Sequence, residues 1–156
     1  MSGSDMASGN AKAVAKVFIR SGQGFIFSRK RKPHAPDTDD RLEMLGGKLE
    51  EGESPREALI RELFEEETSG TLGRLAESTQ TVHKEVEVSN QLHFIFTLDT
   101  GNTSMDLLHA SQEESRGFVR LAAETIQNPQ MLSAILERFT PKTRSIFEAM
   151  GMTPPQ

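Results

Sequence analysis

The amino-acid sequence predicts a single α/β domain in which a mixed β-sheet carries helices on its faces. Three observations predict this class. Residues 13–19 alternate as a half-buried strand does, residues 54–67 have the pattern of a capped amphipathic helix, and further strands and helices complete the order β, β, β, α, β, β, β, α. The 156 residues suit one core. We assign residues 11–152 to this domain and residues 1–10 to a flexible N-terminal tail.

The first part of the chain contains three strand patterns. Turn residues at 21–24 separate the alternating segment 13–19 from an apolar run that begins at Phe25, which predicts a β-hairpin. Residues 28–41 are predicted to be a polar loop that begins with a run of four bases. Residues 42–45 predict a short strand that leads into two glycines.

The helix that follows has clear start and stop signals. Ser54 is a predicted N-cap, Pro55 suits the first helical position, and Glu57 completes a capping box. Residues 58–67 contain no glycine or proline, and Gly70 offers a stop. This helix is the best-defined element of the sequence.

The second half of the chain predicts three strands and a helical C-terminus. Residues 79–88 and 92–98 predict a hairpin around Ser89 and Asn90, and residues 117–119 predict a last short strand. Helices are expected over residues 121–127, 129–139 and 141–150.

Composition and charge exclude several classes of protein. With no cysteine, disulfides and zinc–thiolate sites are ruled out. A net charge of -5 argues against a nucleic-acid binder, which normally has a basic surface. No segment reaches the ~20 apolar residues of a membrane span, and the N-terminus lacks the pattern of a secretory signal. We therefore expect a cytoplasmic protein that binds neither nucleic acid nor membrane.

The acidic excess lies in one short stretch. Between residues 43 and 67, nine glutamates accompany three bases. On the predicted helix, Glu62, Glu65 and Glu66 share the face opposite the apolar one. Carboxylates at this spacing repel one another, and a bound Mg²⁺ or Mn²⁺, which prefers oxygen ligands, removes the repulsion. The alternative is the ordinary solvated face of an amphipathic helix.

The spacing around these glutamates favours a site. Gly47, Glu53 and residues 61–66 match the arrangement Gly-x5-Glu-x7-Arg-Glu-U-x-Glu-Glu, in which U is apolar. This stretch resembles the signature of the Nudix hydrolase family, which includes MutT-like proteins, and residues 42–49 resemble the segment that leads into it. The resemblance implies a Nudix-type α/β/α sandwich with a mixed sheet.

The resemblance also implies a function. It implies a hydrolase that cleaves the pyrophosphate linkage of a nucleoside diphosphate joined to another group, with Mg²⁺ or Mn²⁺ as cofactor and water attacking phosphorus. Nucleoside triphosphates, nucleotide sugars and ADP-ribose all stay open as the small-molecule substrate. The chain could be a monomer or a homodimer.

The resemblance assigns roles residue by residue. Glu62, Glu65, Glu66 and the backbone carbonyl of Gly46 would bind the metal. Arg61 and Glu53 would form a pair that orients the loop and the helix. Glu113 or Glu114, in the loop before the last strand, would be a general base or an extra metal ligand.

Three residues outside the helix are predicted to bind substrate, namely Arg29, Glu43 and Lys48. Arg29 is favoured among the four consecutive bases because a guanidinium can contact a phosphate through two hydrogen bonds. The residues that would recognise the nucleobase are not predicted.

The sequence departs from the signature after the last glutamate. Thr68 stands where the signature has a glycine, and a β-branched residue resists the left-handed backbone that glycine adopts there. We therefore expect the helix to run about two residues further and the chain to turn at Gly70.

Three other interpretations stay open. The chain could be a catalytically weak nucleotide-binding or regulatory module of the same fold, although such a module gains nothing from three repelling carboxylates. It could be an isomerase of isoprenoid diphosphates, which the lack of cysteine disfavours. It could also be a structural protein with an acidic helix.

Overall fold

Seven strands form one mixed β-sheet in the computed structural model, which describes residues 13–155. The predicted flexible tail, residues 1–10, lies outside this described part. In chain order the strands are β1 (Val14–Ser21), β2 (Gly24–Lys30), β3 (Leu42–Glu43), β4 (Leu45–Lys48), β5 (His83–Val88), β6 (Gln91–Asp99) and β7 (Ser115–Ala122).

Strand β1 lies at the centre of the sheet. One of its edges pairs antiparallel with β2 and, nearer its start, with β4, while the other edge pairs in parallel with β6. β2 also pairs with β3 and β7, and β5 pairs with β6 at the far edge. This topology puts the double glycine of β4 beside the first half of the central strand.

Helices cover both faces of the sheet. On one face lie α1 (Pro55–Glu66) and α2 (Thr71–Ser78), and on the other lie α3 (Ala123–Gln127), α4 (Pro129–Ala134) and α5 (Pro141–Ala149). The predicted α/β/α sandwich is thus confirmed. No helix in residues 13–155 is long and apolar enough to cross a membrane.

Each face has its own hydrophobic core. Leu59 and Leu63 of α1 pack with β1 and β6 in the first core. The second core is aromatic: the ring of Phe139 lies 5.1 Å from that of Phe27 and 5.0 Å from that of Phe147, both edge to face. The first core holds the face of α1 opposite its glutamates firmly on the sheet.

Local chemistry sets the elements that the sequence predicts well. The capping box of α1 is present, since Ser54 and Glu57 each accept a hydrogen bond from the other's backbone amide. The hairpin between β5 and β6 turns at Ser89 and Asn90, whose φ angles of 53° and 64° give the left-handed pair of a two-residue turn. Both predictions are confirmed.

Other elements differ from the prediction. Helix α2 is not predicted, because Gly70 offers no capping side chain and Gly73 is a poor helix former. Its apolar residues Leu72, Leu75 and Ala76 nevertheless have helical spacing and pack in the first core, and Gly73 lets the ring of Phe64 lie against the helix. The loop predicted for residues 28–41 begins later, because β2 continues to Lys30 through its pairing with β7. The helix predicted over residues 129–139 ends at Ala134 and continues only as a short 3-10 turn.

The end of α1 also differs. The chain does turn at Gly70, with φ of +83°, but the predicted extension of the helix is wrong. α1 ends at Glu66, and Glu67 has an extended backbone with φ of -122°. The physical reason is that the backbone after Glu66 pairs with residues 109–111 instead of continuing the helix.

The capping box gives a prediction for stability. Ser54→Ala removes the acceptor for the Glu57 amide, 3.1 Å away, and should lower the free energy of unfolding by about 1 kcal/mol in urea titrations. Glu57→Gln is the control, since an amide oxygen can still accept from the Ser54 amide. An unchanged unfolding midpoint in Ser54→Ala would contradict the role of the cap.

Candidate active site

The acidic face of α1 lies directly against the double glycine of β4. A Cβ atom at Gly47 would lie 2.5 Å from the carboxyl carbon of Glu62, so the Glu62 carboxyl occupies the space of a side chain. The amide of Gly46 donates to Glu66 Oε1 at 3.1 Å. Gly46 itself has φ of +124°, and a Cβ there would collide with the Ala15 carbonyl. Both glycines are needed for this close approach.

Glu62 and Glu66 form a largely buried carboxyl pair. Burial raises the pKa of Glu66 well above its ordinary range, the charge of Lys16 opposes that rise, and the hydrogen bond with Glu62 adds to it. The Lys16 ammonium donates to the carbonyl oxygens of Gly46 and Met44, at 3.3 and 3.4 Å. The positive charge of Lys16 therefore stabilises the ionised form of this carboxyl pair.

Arg61 is the centre of a second set of contacts. Its guanidinium donates to both oxygens of Glu53, at 2.7 and 3.0 Å, and to the Lys48 carbonyl at 2.9 Å. It also donates to Glu62 at 2.9 Å and to Glu65 at 3.3 Å. The hydrogen bond from Arg61 lowers the pKa of Glu53, and that bond in turn raises the pKa of Arg61. Arg61 thus ties α1 to the loop before it.

The predicted metal ligands are partly brought together. Glu62 and Glu66 lie against the double glycine, but Gly46 contacts Glu66 through its amide, and its carbonyl, the predicted ligand, accepts from Lys16 at 3.3 Å. The Glu65 side chain is half exposed and bonded to Arg61. Within the described residues, no three acidic or imidazole side chains already surround one point. The donor set nevertheless fits Mg²⁺ or Mn²⁺, because every donor is oxygen and a divalent cation would stabilise two carboxyls that lie side by side.

The two candidate bases lie in different places. Glu114 lines a small cavity together with Glu66, Glu43 and Lys30. Glu113 lies outside this cavity and lines a larger cleft. The structure therefore brings Glu114, and not Glu113, to the end of α1.

The predicted substrate-binding residues also lie in different places. Glu43 lies in the small cavity, 3.6 Å from the Lys30 ammonium. The Lys48 side chain is exposed, and its backbone carbonyl serves Arg61. Arg29 bonds to Asp40 at 2.6 Å and lines a third cavity, away from Glu66.

Sequence reasoning missed the large cleft beside the small cavity. The cleft has a volume of about 1040 Å³, and the two share Ser111 and Ser115. Its lining includes apolar and basic side chains, among them Met105, Leu108, Phe118, Arg31 and Arg116. The Nε atom of Arg31 is buried with no hydrogen-bond partner in the part of the chain that the structure describes. The four-base run identified the segment but could not tell which base faces the cleft.

Glu67 was missed as well. Burial would raise the pKa of Glu67, but hydrogen bonds from the amides of His109, Ser69 and Leu72 and from the Ser69 side chain outweigh burial and lower it. Its only sequence signal is its position beside Thr68, where the chain departs from the signature.

Comparisons with known proteins give one family model and several structures of similar fold. Residues 10–142 match the family model described as NUDIX domain, and no curated protein matches the chain. A bifunctional NMN adenylyltransferase/ADP ribose pyrophosphatase from Francisella tularensis, complexed with AMP and a Mn ion, is 17% identical with a TM-score of 0.65, over 91% of this chain and 42% of that one. This chain thus spans less than half of that protein.

Two solved structures of similar length share the fold. The E. coli ORF135 protein is 23% identical, with a TM-score of 0.54 over 95% of this chain and 94% of that one. The MutT protein from Methanosarcina mazei Go1 is 18% identical, with a TM-score of 0.55 over 92% of this chain and 94% of that one.

The Glu53–Arg61 pair gives a pH-dependent prediction. Since the pKa of Glu53 is lowered in the folded chain, its stabilisation is complete above the ordinary glutamate pKa of about 4.3 and is lost as the pH falls through the lower folded value. The difference in unfolding free energy between wild type and Glu53→Gln should therefore shrink from pH 7 to pH 3. Glu51→Gln, at an exposed position, is the control; a difference independent of pH would contradict the pair.

The two glycines give a matched pair of substitutions. Gly47→Ala meets only the flexible end of Glu62, so it should fold with nearly wild-type stability while displacing that carboxyl. Gly46→Ala meets backbone at a left-handed φ, which should cost about 1–3 kcal/mol from strain alone. Urea unfolding and carbon-13 NMR of glutamate carboxyls measure the two effects. Equal destabilisation by both substitutions would contradict the described approach.

Proposed function

The chain belongs to the Nudix family, whose model covers residues 10–142, and on that basis we propose a pyrophosphohydrolase that cleaves a nucleoside diphosphate joined to another group. The observation that carries the proposal is the largely buried Glu62–Glu66 pair, held against Gly46 and Gly47, with Glu66 lining the cavity that Glu114 also lines. A carboxyl pair of this kind is costly unless a cation or a proton compensates it.

We propose that Glu62, Glu65, Glu66 and the Gly46 carbonyl hold Mg²⁺ or Mn²⁺. When bound, the ion neutralises phosphate charge and lowers the pKa of a water molecule. In the structure, Arg61 Nη1 donates hydrogen bonds to both Glu62 and Glu65. Arg61 therefore holds both carboxylates near the site.

Glu114 is our proposed general base. It lines the same cavity as Glu66, so a water molecule there could give its proton to the Glu114 carboxylate. Glu113 is less suited to the role because it faces the larger cleft.

Basic residues at the end of β2 would bind the substrate phosphates. Lys30 lies in the small cavity, and Arg31 lines the large cleft. A guanidinium that faces a cleft can donate to phosphate oxygens through its terminal nitrogens. Arg29 would first have to leave Asp40, so we favour Arg31 for this contact.

The large cleft would take the rest of the nucleotide. Its volume of about 1040 Å³ exceeds what a nucleoside needs. Nucleoside triphosphates, nucleotide sugars and ADP-ribose all remain within the proposal. A cytoplasmic location suits each of them.

One observation favours the catalytically weak nucleotide-binding module as a second candidate. Glu65 is half exposed, and no three acidic or imidazole side chains surround one point within the described residues. The same experiment separates the two candidates.

Glu66→Gln tests the proposal. With Mg²⁺ and a panel of the three nucleotide classes, this substitution should lower turnover about 100-fold or more, because it removes a charged ligand and leaves the fold intact. Released phosphate-bearing products give the turnover, and Mn²⁺ titration followed by EPR gives the metal affinity. Glu51→Gln, an exposed glutamate of the preceding loop, is the matched control.

Two results would contradict the proposal. Unchanged turnover in Glu66→Gln would remove the assigned role from the carboxyl pair. A metal-dependent rise in melting temperature without turnover in the wild type would favour the binding module.

A further inference from the structure

Glu67 is a fully buried carboxylate immediately after α1. Its exposed fraction is 0%. Oε1 accepts the amide of Leu72 at 3.1 Å, and Oε2 accepts the amides of Ser69 and His109, both at 2.9 Å. A carboxylate with three such donors is held rigidly and holds those amides in return. Two donors belong to the turn into α2, whereas His109 comes from a distant loop.

That distant loop, residues 109–114, pairs with the end of α1 as a strand would. The Thr68 amide donates to the His109 carbonyl at 2.8 Å, and the Ser111 amide donates to the Glu66 carbonyl at 2.9 Å. Glu67 and Ala110 form an antiparallel bridge between these bonds. The Glu67 side chain therefore adds a hydrogen bond, from the His109 amide, to this short pairing of two backbone segments.

The same loop carries Glu114 to the small cavity. The Ser111 carbonyl accepts the Glu114 amide at 3.3 Å, and the Glu114 carbonyl accepts the Arg31 amide at 2.9 Å. Glu114 then lines the cavity with Glu66. Residues 109–111 therefore hold Glu114 from the side of α1, and the Arg31 amide holds it from the other side.

We propose that Glu67 is a positioning residue that fixes Glu114 beside Glu66 by clamping the 109–114 loop to the end of α1. The extended backbone at Glu67 replaces the glycine turn that the signature would place at Thr68. This inference rests on the proposed function, since the clamp matters to turnover only when Glu66 and Glu114 serve one reaction.

Glu67→Gln tests the clamp. The carboxamide keeps the size of the side chain, but its NH2 group cannot accept a hydrogen bond, so at least one amide loses its partner. We expect kcat to fall about tenfold or more with KM changed less than about twofold, because misplacing a reacting group by about 1 Å can cost about 100-fold. Glu67→Asp keeps the charge at a shorter reach, should be intermediate, and carries the test if Glu67→Gln fails to fold.

Ser54→Ala is the matched control. It weakens the opposite end of α1 by removing one capping bond, so it should keep the wild-type kcat. A fall in kcat with Glu67→Gln no larger than with Ser54→Ala would overturn the positioning role. The double variant with Glu114→Gln should lose no more activity than Glu114→Gln alone, and additive losses would also overturn it.

Hydrogen exchange supplies a measurement that needs no turnover. The amides of Thr68, His109 and Ser111 should exchange faster in Glu67→Gln than in wild type and keep wild-type protection in Ser54→Ala. Unchanged exchange in Glu67→Gln would overturn the clamp. Faster exchange in a chain whose wild type hydrolyses none of the three nucleotide classes would support the clamp and reject the proposed function.

Discussion

The contact between α1 and the double-glycine strand is the constraint on which the candidate site depends. Because Gly47 has no side chain, the Glu62 carboxyl fits into the space beside the strand, and the Gly46 amide can reach Glu66. A helix packed at the usual distance would leave these carboxyls in solvent. Arg61 then fixes the helix to its preceding loop, so the acidic face meets the strand in one register.

Burial affects both Glu66 and Glu67, but their pKa values shift in opposite directions. Glu67 is surrounded by backbone donors, and its pKa is lowered despite complete burial. Glu66 receives one backbone donor and lies beside another carboxyl, and its pKa is raised. The first group is satisfied by the protein alone and serves the architecture. The second is buried with fewer donors, and burial raises its pKa more than the charge of Lys16 lowers it.

The sequence predicts features that local chemistry determines, such as the N-cap at Ser54, both hairpins and the layer order. It does not predict α2, because the start of this helix has no capping side chain and Gly73 lowers its helix propensity. The end of α1 was misjudged because His109, which helps to draw Glu67 out of the helix, lies 42 residues away. Among the site residues, spacing located those on α1 and β4. It could not distinguish Arg29 from its neighbour two positions later, since the direction of each side chain depends on tertiary pairing.

The 109–114 loop is anchored at both ends, by the end of α1 and by the amide of Arg31, one residue after β2. Between these anchors, Gln112 and Glu113 are exposed on the rim of the large cleft. Substitutions at these two rim positions would therefore change the lining of the cleft without removing the hydrogen bonds that hold Glu114. The shape of the cleft and the placement of Glu114 thus depend on different residues of one short loop.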